Sequence, residues 1–516
     1  MSNTTENNKR IAKNTLLLYF RMLFLMAVSL YTSRIVLNAL GVEDFGIYNV
    51  VGGVVTMFSV LSGSLSAAIS RFITYEIGKG NQDKLNKIFS SAVTIQLGLA
   101  GIIILLAETI GIWFLNIKMN IPELRMEAAN WVFQFSILTF AINLISVPYN
   151  ACIIAHEKMS AFAYISILEA VGKLTIAYLI AISPIDKLIF YAILMCVVAL
   201  VVRLAYGNYC KRHFCECTYH FSWDKLLLKQ MFGFAGWNFI GASASILRDQ
   251  GGNIIINLFC GPAVNAARGI AFQVSNAVQG FTNNFMTALN PQITKSYASG
   301  NKEYLMELLF QGARLSFYIL LLLSLPILVN THYILTLWLN TVPAHTVLFV
   351  QLALIFAMSE SISYPLVTAI LSTGNIRNYQ ILAGGINMMN LPISYILLRF
   401  NMIPEIIFII AIIISQLCLG IRLFILKKLI GLEIKKYLYN VWLNIIVVSC
   451  IASIIPIWLS YKTQESLKCF IFLSLISIII VCLVELFIGC SAKERRLLKE
   501  KMLKIINKKL NTRSIN

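Results

Sequence analysis

Thirteen ionisable side chains stand inside the apolar stretches of this 516-residue chain. They are Arg21, Arg34, Lys173, Arg203, Arg248, Arg268, Arg314 and Arg422 against Glu108, Glu169, Asp249, Glu360 and Glu485. A charge at mid-bilayer costs about 2.5–3.5 kcal/mol on insertion scales, so each must meet a partner, water or the headgroup layer. Guanidinium binds phosphate oxygens bidentately and ammonium as a point charge. A buried carboxyl can load and release a proton near neutral pH, which makes Glu169, Asp249 and Glu360 the ion-coupling candidates. The densest constellation is LRDQGGN, residues 247–253, where Arg248, Asp249, Gly251 and Gly252 interrupt an apolar run. Glycine pairs loosen helices and mark the interrupted helices of transporters. Glu169 and Lys173 are one helical turn apart, and mutual pairing explains them as readily as function does. Arg203, Arg314 and Arg422 lie near helix ends and can snorkel; Glu108 and Glu485 also lie near ends. Pro148 and Pro365 read as matched hinges or static kinks.

These residues need elements long enough to carry them through a bilayer. Of the chain, 58% is hydrophobic and 13% charged, against about 25% charge in a soluble domain. The apolar residues fall in runs of about 20, the length of a membrane-spanning helix. The expected fold class is therefore all-α, a polytopic membrane protein. The spans are placed at about 14–38, 45–70, 88–115, 127–154, 160–182, 187–207, 230–259, 263–290, 307–330, 343–372, 379–400, 404–426, 438–460 and 467–489. Residues 1–13 lack the apolar core of a cleavable signal, so the first span is expected to stay in the protein.

Basic residues choose the orientation. With residues 1–13 inside, 28 of the 42 Lys and Arg fall in cytoplasmic segments and six in outer loops, the asymmetry of the positive-inside rule. Both ends are then expected on the cytoplasmic side. The net charge of +19 belongs to those loops and implies no nucleic-acid partner. The tail KERRLLKEKMLKIINKKLNTR is expected on anionic inner-leaflet lipids.

The chain repeats itself. Gly41, Ile73, Thr74, Gly80, Asn81 and Leu85 return as Gly261, Ile293, Thr294, Gly300, Asn301 and Leu305, all 220 residues later. Pro148 returns as Pro365 at an offset of 217. Because six spans separate the copies, the two halves enter the bilayer from the same side as parallel repeats. The organisation expected is a 1–13 N-terminal segment, an N-lobe at 14–207, a 208–229 loop, a C-lobe at 230–426, two further spans at 427–489 and a basic tail at 490–516.

Cys210, Cys215 and Cys217 cluster with His213 and His220, but the spacing fits no standard zinc site, so no metal is expected. No nucleophile, P-loop, HExxH or paired-carboxylate motif is present. No outer connection is long enough for a catalytic loop, so an enzyme is not expected, nor any cofactor.

The stretch 14–81, and above all the LG-x3-FG-IYN element from Leu40 to Asn49, resembles the polysaccharide-export flippases of the MOP superfamily, whose Wzx-like members handle O-antigen or capsule repeats. The resemblance covers about residues 10–430. It implies two six-helix, MATE-like lobes, with 427–489 as an appended pair. It also implies a flippase for undecaprenyl-diphosphate-linked oligosaccharide in the bacterial inner membrane, working by alternating access with H+ or Na+ as coupling ion. Polysaccharide polymerase machinery is a further partner of such proteins. The alternatives are a MATE-like exporter of organic cations and a polymerase or ligase of the same pathway. Under the flippase reading Arg21, Lys173 and Arg248 contact the diphosphate, with Arg34 and Arg268 as exit-side candidates. Arg21 and Arg34 point about 140° apart on a straight helix, so both serve one cavity only if that helix bends or Arg34 snorkels.

Overall fold

The computed structural model describes residues 2–56, 59–117, 121–220, 224–339, 342–491 and 495. Among these residues helix follows helix and no strand forms. The basic tail KERRLLKEKMLKIINKKLNTR, apart from Arg495, lies outside the described residues.

The principal helices are α1 (Ser2–Thr56), α2 (Ser59–Lys79), α3 (Gln82–Leu106), α4 (Met126–Ala155), α5 (Met159–Leu179), α6 (Lys187–His213) and α7 (Lys225–Ala298). They continue with α8 (Lys302–Val329), α9 (Thr346–Ser361), α10 (Tyr364–Thr373), α11 (Asn390–Arg399), α12 (Ile406–Ile430), α13 (Asn444–Lys462) and α14 (Leu467–Val484). Side-chain caps set several starts. Asn81 accepts from the Lys84 amide ahead of α3, Asp186 from Leu188 and Ile189 ahead of α6, and Asp224 from Leu226 and Leu227 ahead of α7. Each satisfies amides that the first helical turn leaves unpaired.

Among the described residues ten helices are long and apolar enough to cross a membrane, or eleven when α9 and α10 count as one bent span. This is a multi-pass membrane protein. The described residues of the remaining expected spans, 45–70, 230–259 and 263–290, also fall on helix. Two of them share α7, whose 74 residues turn at Gly261 (φ 83°), as α1 turns at Gly41 (φ 82°).

The chain divides into two compact units. The first comprises Met1–Ser245, Asn284–Leu305 and Thr368–Gly384; the second comprises Ile246–Asn283, Met306–Val367 and Gly385–Asn516. In the first unit α4 packs on α6, α1 on α5, and α2 on α4. Ala129, Val132 and Phe133 of α4 form its core with Ile47 and Val51 of α1 and Ala192 of α6. Arg125 ties the same elements together, donating through Nε to Asp44 (2.7 Å) and through Nη1 to Asp186 (2.6 Å). In the second unit α9 packs on α12, and α13 on α14.

Candidate functional site

Three of the expected site residues meet in the first unit. A face of α1 carrying Arg21, Leu25, Val28, Ser29, Thr32 and Val36 lines a cavity of ≈500 Å3 together with Glu169 and Lys173 of α5 and Tyr191 of α6. The spacing along α1 is that of one helical face. Lys173 Nζ donates to Glu169 Oε1 at 2.6 Å, and both side chains keep 42% of their exposure. The Arg21 guanidinium lies over the Phe162 ring at 4.2 Å, and its Nε has no hydrogen-bond partner among the described residues. Two cations against one carboxylate leave this cavity with an excess of positive charge.

Arg34 does not share that face. Helix α1 keeps helical geometry up to Gly41, so the 140° phase difference stands, and Arg34 is exposed on another side.

The second cluster is in the second unit. Arg248 donates through Nε to Asp249 Oδ1 (2.9 Å) and through Nη1 to Asn387 Oδ1 (3.3 Å). It stacks over Phe356 at 4.9 Å. Glu360 and Tyr364 stand within electrostatic range of the same guanidinium. Arg268 is 2% exposed. Its Nη1 donates to the Asp249 carbonyl (3.0 Å) and to the Asn253 side chain, while Phe272 lies under the guanidinium at 4.4 Å. Arg268 therefore braces the two arms of α7 across the turn at Gly261.

The double glycine does not interrupt α7, which stays helical through it. It makes room instead. A Cβ on Gly252 would lie 2.6 Å from Arg268 Nη2, and one on Gly251 would lie 2.0 Å from Leu391 Cδ1. The two prolines also differ. Pro148 sits buried inside an unbroken α4, whereas Pro365 follows a break at which α9 and α10 meet at 40°. At a first-turn position the missing proline amide costs no hydrogen bond.

One acid escaped the reading by sequence. Glu157 stands between α4 and α5, with φ 59° and its side chain 1% exposed. It takes Arg10 Nε at 2.7 Å, Lys295 Nζ at 2.6 Å and Gln292 Nε2 at 2.6 Å. Its carbonyl accepts from Asn14 at 3.2 Å. Nothing in AHEKMS announces a buried carboxylate, because its partners lie 147 residues before and 138 after it. Nearby, Glu216 is also buried; burial opposes its charge, but the His156 imidazole at 2.5 Å and Gln82 at 3.2 Å hold its carboxyl below the usual range. Cys152, Cys210 and Cys217 are buried, while Cys215 is exposed, so the sequence cluster of thiols and histidines is not gathered at one point. No metal-holding group occurs among the described residues.

Comparison with known proteins agrees with this architecture. A family profile described as "Polysaccharide biosynthesis protein" matches residues 11–297, more than half of the chain. The uncharacterized membrane protein EpsK of Bacillus subtilis (strain 168) is 21% identical over 308 residues, 59% of this chain and 60% of that protein. The match thus spans less than two thirds of that relative's length. Among solved structures, MATE in its bent conformation superposes with a TM-score of 0.72 at 13% identity, covering 82% of this chain and 96% of that one. A MOP superfamily transporter from Pyrococcus furiosus, whose binding pocket has reverse polarity that suggests a different function, superposes at 0.67 with 14% identity over the same shares. The fold is the one these MATE structures share.

Proposed function

The chain belongs to the polysaccharide biosynthesis protein family, and from that premise we propose that it is a flippase for lipid-linked sugars. Its substrate is an undecaprenyl-diphosphate-linked oligosaccharide repeat of O-antigen, capsule or exopolysaccharide. It carries this from the inner to the outer leaflet of the bacterial inner membrane, with both ends of the chain cytoplasmic.

The observation that carries this reading is the cavity shared by Arg21, Lys173 and Glu169. A diphosphate cannot enter hydrocarbon without cations to replace its water. Arg21 offers donors not already committed to a carboxylate, and Lys173 becomes available if Glu169 is neutralised. Arg248 supports the same chemistry in the second unit, where Asp249 plays the part of Glu169. Arg268, already committed to the backbone of α7, acts as a brace for this site.

Alternating access requires a contact that breaks when one face opens. Glu157 supports that role, since it fastens the first turns of α1 and the end of α7 to the α4–α5 connection. Proton or Na+ coupling follows from the pairing itself: neutralising Glu169 or Asp249 frees a cation for phosphate, and substrate release restores the pair. With Glu360 these form the ion-coupling set. If Asp249→Asn and Glu360→Gln both left transport and its pH dependence intact, coupling through them would be ruled out.

An exporter of organic cations needs carboxylates free to meet its cargo, and here Glu169 and Asp249 are already paired. Deleting the gene and analysing lipid-linked sugars separates the readings. Complete repeats accumulating on the cytoplasmic side support the flippase. Incomplete repeats point to a transferase, and unaltered sugars with new sensitivity to organic cations point to an exporter.

A further inference from the structure

The flippase reading leaves one basic cluster of the first unit unused. A cavity of ≈390 Å3 is lined by Arg71 and Phe72 of α2, Lys229 and Trp237 of α7, and Asn375 and Arg377 just beyond α10. Among the described residues three cations and no carboxylate line it. Glu76, whose charge acts on Arg71, is bound to Lys84 at 2.8 Å.

Arg71 is packed among aromatic rings. Its guanidinium carbon lies 4.6 Å from the Tyr75 centroid, 4.7 Å from Phe72 and 5.8 Å from Phe234. Its Nη2 donates to the Ser372 carbonyl at 2.9 Å, and its buried Nε has no hydrogen-bond partner among the described residues. Gly374 makes this approach possible: with φ 80° it holds a conformation that disfavours side chains, and a Cβ there would lie 2.7 Å from Nη2. Arg377 stacks on Trp237 at 5.6 Å, while Lys229 and Arg377 are exposed. Behind Arg71 lies a second cavity of ≈260 Å3, lined by hydroxyls including Thr74, Thr294, Thr368 and Ser372. Arg71 thus belongs to both an open basic–aromatic pocket and an inner hydroxyl-lined one.

We propose that this pocket is a loading site for the diphosphate head of a polyprenyl-linked sugar, with Lys229 and Arg377 capturing the phosphates and Arg71 passing them inward. The proposal rests on the flippase reading and adds the place of first contact. Three features together select an amphipathic lipid rather than a soluble phosphate. Cations without acids suit a multiply charged anion. Trp237 offers a ring face on which a sugar can stack. On the same helix as Lys229 and Trp237, Leu226 and Phe232 are 70% and 53% exposed, an apolar surface for the prenyl chain.

The test uses full-length protein in nanodiscs and undecaprenyl diphosphate as the probe, read by native mass spectrometry and by tryptophan fluorescence. Undecaprenyl diphosphate should bind, and Lys229→Gln/Arg377→Gln should weaken it by roughly tenfold or more, with Lys229→Arg/Arg377→Lys retaining most of the affinity. Inorganic diphosphate and phosphatidylglycerol should compete weakly. Equal competition by phosphatidylglycerol would make this a general anionic-lipid site and overturn the proposal. Unchanged affinity in the Gln variant, with wild-type export in a complementation assay, would overturn the loading site and leave the flippase reading standing. Failure of the wild-type protein to bind undecaprenyl diphosphate at all would overturn both.

Discussion

Gly41 and Gly261, 220 residues apart, turn the backbone at the same point of two helices, with φ 82° and 83°. The correspondence extends further: Gly80 and Gly300 have φ 72° and 74°, and Asn81 and Asn301 each accept the amide three residues on. Gly78 and its counterpart Ala298 even touch, since a Cβ on Gly78 would lie 2.8 Å from Ala298 Cβ. A repeat read from a few letters is thus the same backbone made twice.

Gly41→Ala and Gly261→Ala should each destabilise the protein by about 1–2 kcal/mol, because an L side chain resists positive φ. Gly41→Asn should cost less, as asparagine tolerates that region better. Thermal unfolding in detergent checks the order Gly, Asn, Ala.

Arg21→Ala and Lys173→Ala should strongly reduce export at normal expression, while Arg34→Ala stays close to wild type. The first two line the cavity and Arg34 lies off that face. A complementation assay with surface-glycan detection checks it. Loss at Arg34 equal to that at Arg21 would move the pathway elsewhere.

Arg248 and Arg268 should separate by kind of defect. Arg248→Ala should abolish export with normal insertion, and Arg248→Lys should restore only part because the bidentate geometry is lost. Arg268→Ala removes a buried donor from the Asp249 carbonyl and Asn253, and should cost about 2–4 kcal/mol of stability. Export assays beside melting curves distinguish the two.

Glu157→Gln should weaken the junction of α1, α4, α5 and α7 by about 2–4 kcal/mol, since Lys295 would remain buried without its counter-ion. Burial already holds the Lys295 ammonium below its usual range, and Glu157 partly offsets this. Faster proteolysis or cysteine labelling near Gln292 would report the opening; unchanged protection would remove Glu157 from any gating role.

Glu216 gives a pH dependence with a definite sign. Its carboxyl is held below the ordinary range in the folded chain. Its stabilisation is complete above the unfolded value and is lost as pH falls through the folded value, because the unfolded chain takes up the proton first. Melting temperatures measured from neutral pH down through and below the ordinary carboxylate range should fall for the wild type and converge on those of Glu216→Gln only once pH lies below the lowered folded value. Parallel curves would assign the acid sensitivity to other groups.

The sequence by itself determined that the chain is helical and crosses a membrane repeatedly, because apolar runs of about 20 residues allow no other backbone in hydrocarbon. It also disclosed the repeat, since glycine at a positive-φ turn and asparagine at a helix cap are local requirements that leave their letters behind. The phase of Arg21 against Arg34 was legible for the same reason: helical geometry is periodic. Tertiary structure alone decided which charges meet. Glu157 finds Arg10 and Lys295 from far along the chain, and Arg248 finds Asn387 139 residues away. It also decided what Gly251 and Gly252 are for, a notch for Leu391 and Arg268 rather than a break. Such pairings depend on where helices cross, and no local pattern of residues records a crossing.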